Sequence, residues 1–300
     1  MDLAVFRRNK GTSQIYKDEE EMKKIILLSM ILLTTSFSKD LFELGLEAYN
    51  KGEFDEAAKQ WQRGCNDGNI DSCTNLGTLY ENGQGVAQDY NKAAALYKHA
   101  CDSKDAIGCY NLGNFYERGQ GVEQDYTKAI KLYEKACDGN IAQAYHNLGV
   151  LYVNGLGVEQ DYYKAAQLWQ KACSDKYSTS CYNLGILYNI GQGVKQDYYK
   201  AADLYKQACD DGVNDSCSNL GILYENGQGV EQDYSKSLEL YEKACNNGYN
   251  RGCFNLGAFY LKGKGAKQDY HIAKEYFYKA CELGLQPGCD VYKKLNEKGL

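Results

Sequence analysis

Apolar residues along most of this chain recur at three- and four-residue steps in short blocks, each closed by a polar, glycine-containing stretch. In one block Leu76, Leu79 and Tyr80 share a helical face, and in the next Ala93, Ala94, Leu96, Tyr97 and Ala100 do the same. The pattern predicts two amphipathic helices. Between them "ENGQGVAQD" (81–89) supplies Gly83 and Gly85 to end the first helix in left-handed geometry, and Asp89 to N-cap the second. The pair then returns. "NLG" stands at 75–77, 111–113, 147–149, 183–185, 219–221 and 255–257, and "QDY" at 88–90, 124–126, 160–162, 196–198, 232–234 and 268–270, a constant step of 36 residues. Self-similarity at this period marks a repeat array, whose units bury their apolar faces by stacking. The expected layout is seven helix-pair repeats over 39–285 and a C-terminal capping helix within 286–300. That helix, roughly Gly288–Lys298, carries Lys293, Lys294, Glu297 and Lys298, the polar finish an array end requires, and Pro287 falls in the turn before it.

The cysteines keep the same step. Cys65/Cys73, Cys101/Cys109, Cys173/Cys181, Cys209/Cys217, Cys245/Cys253 and Cys281/Cys289 form C-x7-C pairs. Eight residues of straight helix span about 12 Å, beyond the roughly 7 Å limit between the Cα atoms of a disulfide. The chain must therefore reverse between them, and each bridge would staple the end of one unit's second helix to the start of the next unit's first. In the chain-entropy model a loop this short contributes about 2.5 kcal/mol per bridge. Cys137 breaks the series, because Tyr145 stands where its partner would be. It is either a reactive thiol or a lost crosslink. Zinc held by such pairs is conceivable, but three histidines in the chain and the export signal described next favour disulfides, and neither metal nor cofactor is expected.

Paired cysteines belong to an oxidising compartment. "MKKIILLSMILLTTSFS" (22–38) reads as a signal peptide: basic Lys23 and Lys24, an apolar run from Ile25 to Leu33, and Ser36 and Ser38 before a cleavage site at Lys39. Met22 is then the natural start and 1–21 an upstream extension. The apolar run is too short to span a bilayer, and no cysteine follows it closely, so no membrane anchor is expected. The whole chain carries a formal charge of −6; without residues 1–38, which hold six basic and five acidic residues, it is −7. That balance argues against nucleic acid or an anionic membrane as a partner. A secreted or periplasmic monomer is expected.

With "NLGTLYENGQGVAQDYNKAAALYKHAC" in view, the units resemble tetratricopeptide repeats of the Sel-like subclass, through Leu76, Gly77, Tyr80, Ala94, Tyr97 and the long inter-helix loop. The first unit departs, since "NKGEFDEAAK" (50–59) makes the shorter, ordinary tetratricopeptide turn. Sel-like units, C-x7-C pairs and a signal peptide together resemble the Helicobacter cysteine-rich proteins. The resemblance implies an all-α fold, a right-handed α-solenoid, and an attributed penicillin-binding and slow β-lactamase activity. The residues do not supply that chemistry in a recognisable form. The S-x-x-K sequence Ser36–Lys39 straddles the cleavage site, K-T-G does not occur, and His99, His146 and His271 lie in different repeats. "GQG" lacks the rest of a phosphate loop. The nearest nucleophile and base are Cys137 and His146, although a thiol packed at a vacated staple is the simpler reading.

In tetratricopeptide arrays the first helix of each unit lines a concave groove. Here the residue before Leu-Gly is Asn75, Asn111, Asn147, Asn183, Asn219 and Asn255 in successive units. Amides that donate and accept at repeat spacing suit the backbone of an extended peptide, or else they bond neighbouring helices and hold the pitch. The position before them varies: Thr74, Tyr110, His146, Tyr182, Ser218, Phe254. That variation, with Tyr110, His146 and Tyr182 the larger polar members, would give selectivity along the groove. The expected ligand is a peptide, a protein tail or a cell-wall fragment, with a β-lactam the alternative from the family resemblance. The tyrosines, among them Tyr80, Tyr90 and Tyr97, read as buried rings with exposed hydroxyls, and the acidic residues as solvated outer faces.

Overall fold

The computed structural model describes residues 41–300. The export signal read at 22–38 and the extension before it lie outside the described residues. Every regular element among the described residues is an α-helix, and the chain divides into two compact units at Gln124/Asp125. The first unit holds α1 (41–51), α2 (Phe54–Asn66), α3 (Ile70–Asn82), α4 (Tyr90–Asp102) and α5 (Ala106–Arg118). The second holds α6 (Tyr126–Asp138), α7 (Ala142–Asn154), α8 (Tyr162–Ser174), α9 (Ser178–Ile190), α10 (Tyr198–Asp210), α11 (Asn214–Asn226), α12 (Tyr234–Asn246), α13 (Asn250–Lys262), α14 (Tyr270–Glu282) and α15 (Gln286–Glu297). Within each unit, successive helices pack in chain order as a solenoid of helix pairs.

The loop inside each pair follows the chemistry of its sequence. Gly83 ends α3 at φ +67°, and Asp89 accepts the Lys92 amide at 3.0 Å to cap α4. Gly85 is also left-handed, and a Cβ there would lie 2.2 Å from the Phe54 carbonyl. The glutamine of "QDY" has a role that its spacing did not reveal. Gln88 Nε2 donates to the Glu81 carbonyl at 2.8 Å, and Gln160, Gln196, Gln232 and Gln268 repeat the bond onto Val153, Asn189, Glu225 and Leu261. Each clamp satisfies a carbonyl that the helix end leaves without an internal partner.

The core forms where second helices lie on first helices. Ala57, Ala58, Trp61, Leu76 and Leu79 pack together in the first unit; Ala201, Ala202, Tyr205, Leu220 and Leu223 do so in the second. The tyrosines at the position of Tyr97 differ from expectation. Tyr97, Tyr133, Tyr205 and Tyr241 are buried to the hydroxyl, with Tyr97 0% exposed. The Tyr97 hydroxyl donates to Glu81 Oε2 at 2.6 Å and that of Tyr241 to Glu225 Oε2 at 3.0 Å. A ring laid so deep needs an internal partner for its O–H, so Glu81 and Glu225 serve the fold as well as the surface. The last helix begins earlier than expected: Pro287 lies inside the first turn of α15, where an N–H would have no helical acceptor. Leu295 docks α15 against Ala273 and Phe277.

Six disulfides link Cys65 to Cys73, Cys101 to Cys109, Cys173 to Cys181, Cys209 to Cys217, Cys245 to Cys253 and Cys281 to Cys289, with Cα atoms 4.4–4.8 Å apart. Each joins the end of a second helix to the following first helix. The second cysteine of each pair lies deeper than a staple at the helix start would place it. Cys73, Cys109, Cys181, Cys217, Cys253 and Cys289 are each the fourth residue of their helices, one turn in. The reversal and that first turn together carry the chain back alongside the preceding helix, because one helical turn advances about 5.4 Å. Cys73, Cys109, Cys181, Cys217 and Cys253 are consequently buried, and Cys289, on the terminal helix, is half-buried. These sulfurs are core residues as well as crosslinks.

At the junction of α6 and α7 the bridge is replaced by a hydrogen bond, the Tyr145 hydroxyl donating to the Cys137 carbonyl at 2.8 Å. Cys137 itself is buried. Tyr145→Cys should therefore form a seventh bridge in the oxidised protein. The gain is about 1–2 kcal/mol, the loop-closure contribution less one hydrogen bond. Thiol counting and the melting temperature check it; two free thiols and an unchanged melt would contradict it.

Candidate functional site

The six asparagines sit on α3, α5, α7, α9, α11 and α13, each half-buried beside a fully buried Leu-Gly pair. Their partners differ from rung to rung. In the second unit Asn147 Nδ2 donates to the Tyr133 hydroxyl at 3.3 Å, and Asn255 Nδ2 to Ser218 Oγ at 3.2 Å. Asn219 lies against the hydroxyls of Tyr182 and Tyr205. Asn183 has no hydrogen-bond partner among the described residues. The cause is one helix back. Tyr133 precedes Asn147 and Tyr205 precedes Asn219, but the ring preceding Asn183 is Trp169, which carries no hydroxyl and donates its Nε1–H to the His146 carbonyl at 3.1 Å. In the first unit Asn75 follows Trp61 in the same way, and the Tyr97 hydroxyl that precedes Asn111 is already shared with Glu81 and Thr78. The two readings of the ladder thus separate by rung: Asn147 and Asn255 hold neighbouring side chains, whereas the Asn183 amide is open.

The variable row is equally local in its roles. Thr74 Oγ1 donates to Asp105 Oδ2 at 2.6 Å, and the Phe254 ring meets Phe277 edge-on at 5.2 Å. Tyr110 is half-buried on α5. His146 Nδ1 lies 2.8 Å from Ser180 Oγ, its ring near Tyr177 at 5.0 Å and stacked on Trp169 at 6.3 Å. Burial pushes the His146 imidazole down to about 4. Burial, with Asp138 and Glu134 nearby, pushes the Cys137 thiol up to about 12. A neutral thiol and an imidazole engaged with Ser180 are not an activated nucleophile and base. Ser180 is 0% exposed and closed to any substrate.

A further group gathers around Tyr182. Burial and then Asp215 raise the Tyr182 phenol, while Arg251 and Asn219 oppose them. Burial and a hydrogen bond to Asp215 raise that of Tyr249. Asn219 thus bonds Tyr182 and Asp215 bonds Tyr249, while the charges of Asp215 and Arg251 act on the Tyr182 phenol in opposite senses. The sequence does not single out Asp215, Tyr249 and Arg251 because their positions vary between repeats; the signal lies in two rows read down the 36-residue step, Asp71, Ile107, Gln143, Thr179, Asp215, Arg251 and Asp105, Ile141, Tyr177, Val213, Tyr249. Among the described residues no cluster of His, Cys, Asp and Glu could hold a metal ion, and no helix is long and apolar enough to cross a membrane.

The Sel1 repeat family model matches residues 70–105, 106–141, 142–177, 178–213, 214–249 and 250–285. A Sel1 repeat protein from Oxalobacter formigenes is 32% identical, with a TM-score of 0.72, over 80% of this chain and 99% of its own. The structure of c5321, described as a protective antigen of uropathogenic Escherichia coli with an SLR fold, is 28% identical with a TM-score of 0.83 and covers 91% of this chain. This chain spans 60% of that one. "Putative beta-lactamase HcpE" of Helicobacter pylori is 46% identical over 46 residues, 15% of this chain and 13% of that protein. This chain therefore matches only a small part of the length of that relative.

The buried imidazole has a consequence for stability. An unfolded His titrates near 6.5, whereas folded His146 resists protonation to about 4. Between those values the unfolded chain binds more protons, so stability falls as the pH falls. From pH 7 to 4.5 the wild type should lose about 2 kcal/mol relative to His146→Asn, in which other titrations cancel. Denaturant melts across that range measure it, and parallel pH profiles for the two proteins would contradict it.

Proposed function

The chain belongs to the Sel1 repeat family, and on that premise we propose that it binds an extended peptide or protein tail along the face of its first helices. The observation that carries the reading is the open amide of Asn183, set beside the half-buried Tyr182 and between rungs whose amides face other side chains. A side-chain amide can donate to and accept from one peptide unit, which is what main-chain recognition requires. The six disulfides suit an oxidising compartment outside the cytoplasm, so the partner would be met in the periplasm or beyond the cell. β-Lactam hydrolysis rests on the name of a relative matched over 46 residues and has no accessible nucleophile behind it in the Ser180–His146 pair.

Selection of a random peptide display library on the oxidised protein tests this reading. Recovered peptides should bind wild type and lose about tenfold or more in affinity with Asn183→Ala, equivalent to about 1.4 kcal/mol for one well-placed hydrogen-bonding group. Trp169→Tyr, which returns to Asn183 the hydroxyl that Trp169 withholds, should weaken them too. Asn183→Ala should leave the melting temperature unchanged, whereas Asn147→Ala, which strips a partner from Tyr133, should lower it. Peptides indifferent to Asn183, or a library that yields none, would overturn the proposal.

A further inference from the structure

The peptide reading does not say which side chains its ligand carries, and the surface of α9 bears on that question. Thr179 stands four residues before Asn183 and Ile190 seven residues after it, spacings that return to one side of a helix. Thr179 and Ile190 are both exposed, so this stripe of α9 is accessible at either end; Ile186, between Asn183 and Ile190, is half-buried against the core of α10 and α11. A single apolar residue on a surface needs no explanation by itself. The place of Ile190, 52% exposed, gives it one. Down the 36-residue step its position holds Asn82, Arg118, Asn154, Ile190, Asn226 and Lys262, exposed in every repeat and apolar in one. That repeat is also the one in the second unit whose ladder asparagine keeps its amide.

The direction of the ligand follows from the neighbouring rungs. A peptide crossing from α7 to α11 would meet an amide turned to Tyr133 on one side and an amide turned to Tyr182 and Tyr205 on the other. Along α9 it meets an open amide and an exposed apolar side chain on one stripe. From Asn183 to Ile190 the helix advances about 10.5 Å, at about 1.5 Å per residue. An extended peptide rises about 3.3 Å per residue and covers that length in about three residues.

We propose that Ile190 sets the side-chain preference of the peptide site. The ligand lies along α9, its main chain held by Asn183, with an aliphatic or aromatic side chain about three residues away seated on Ile190. This rests on the peptide reading and adds to it the orientation of the ligand and the chemistry of one of its side chains.

The test uses peptides recovered by display on the oxidised protein, each carried through N-methyl and alanine scans read by fluorescence anisotropy. N-methylation at one position should weaken binding to wild type, and that loss should vanish with Asn183→Ala, which marks the residue over the amide. Alanine at an aliphatic or aromatic residue about three positions away should cost about tenfold in affinity for wild type. That cost should vanish with Ile190→Asn, which gives α9 the residue that α7 and α11 carry at this place, and persist with Ile190→Leu, which keeps the apolar surface. Because Ile190 is exposed, both substitutions should leave the melting temperature unchanged. Peptides that need Asn183 but bind Ile190→Asn as tightly as wild type would overturn this proposal while leaving the peptide reading in place. An apolar anchor adjacent to the marked residue, or six or more positions from it, would do the same. Peptides that ignore Asn183, or a library that yields none, would overturn both.

Discussion

Within each unit, a helix pair is closed by an aromatic ring of the second helix lying against the backbone of a glycine in the first. A methyl on Gly77 would stand 2.7 Å from Tyr97 Cε1, one on Gly149 2.5 Å from Trp169 Nε1, and one on Gly221 2.7 Å from Tyr241 Cε1. Gly45 with Trp61 and Gly185 with Tyr205 repeat the contact. Glycine is therefore required in mid-helix despite its cost of about 1 kcal/mol relative to alanine, because the ring occupies the place of its Cβ. Burying the ring this deeply buries its hydroxyl as well, and each hydroxyl must find a partner inside. The partners are Glu81 for Tyr97, Glu225 for Tyr241 and Asn147 for Tyr133. Where the ring is tryptophan there is no hydroxyl to satisfy, and the next asparagine keeps its amide. For Asn147, Asn183 and Asn219 the distinction between structural and open rungs thus follows from which aromatic residue fills one core position, while Asn255 is held by Ser218.

Much of this is legible in the amino-acid sequence. The 36-residue step, the left-handed glycines and the Asp caps announced the helix pairs, and the cysteine spacing announced the staples. Local chemistry was enough there, because a cap or a short bridge is settled by residues a few positions apart. The depth of the staples was less legible, since the spacing requires a reversal without saying how much of it is helix. Cys73 and its equivalents sit one turn inside their helices because the first turn completes the reversal. What stays hidden altogether depends on contacts between helices, within a repeat or across repeats. The burial of the Tyr97 hydroxyl, the His146–Ser180 pair and the approach of Asp215 to Tyr249 join residues 16 to 34 positions apart. The Asn ladder looks uniform because its letters are uniform; the Tyr/Trp alternation at 133, 169 and 205, and Ser218 beside Asn255, separate its rungs.

Cys137 illustrates how a repeat absorbs the loss of one of its elements. Without a partner sulfur the thiol is buried, and Tyr145 spans the gap to its carbonyl. The junction keeps the connectivity of its neighbours with a hydrogen bond in place of a covalent link, an exchange that costs stability without altering the turn. The high thiol pKa follows from that burial, and reactivity would require the junction to open first.

A peptide-binding role for the first-helix face depends most directly on the side-chain amide of Asn183. Titration of the isotopically labelled, oxidised protein with a display-selected peptide, followed through the asparagine side-chain NH2 resonances, observes that group itself. The Asn183 resonances should shift on binding while those of Asn147, held by Tyr133, stay in place. Shifts confined to the second helices, with Asn183 unmoved, would contradict the account.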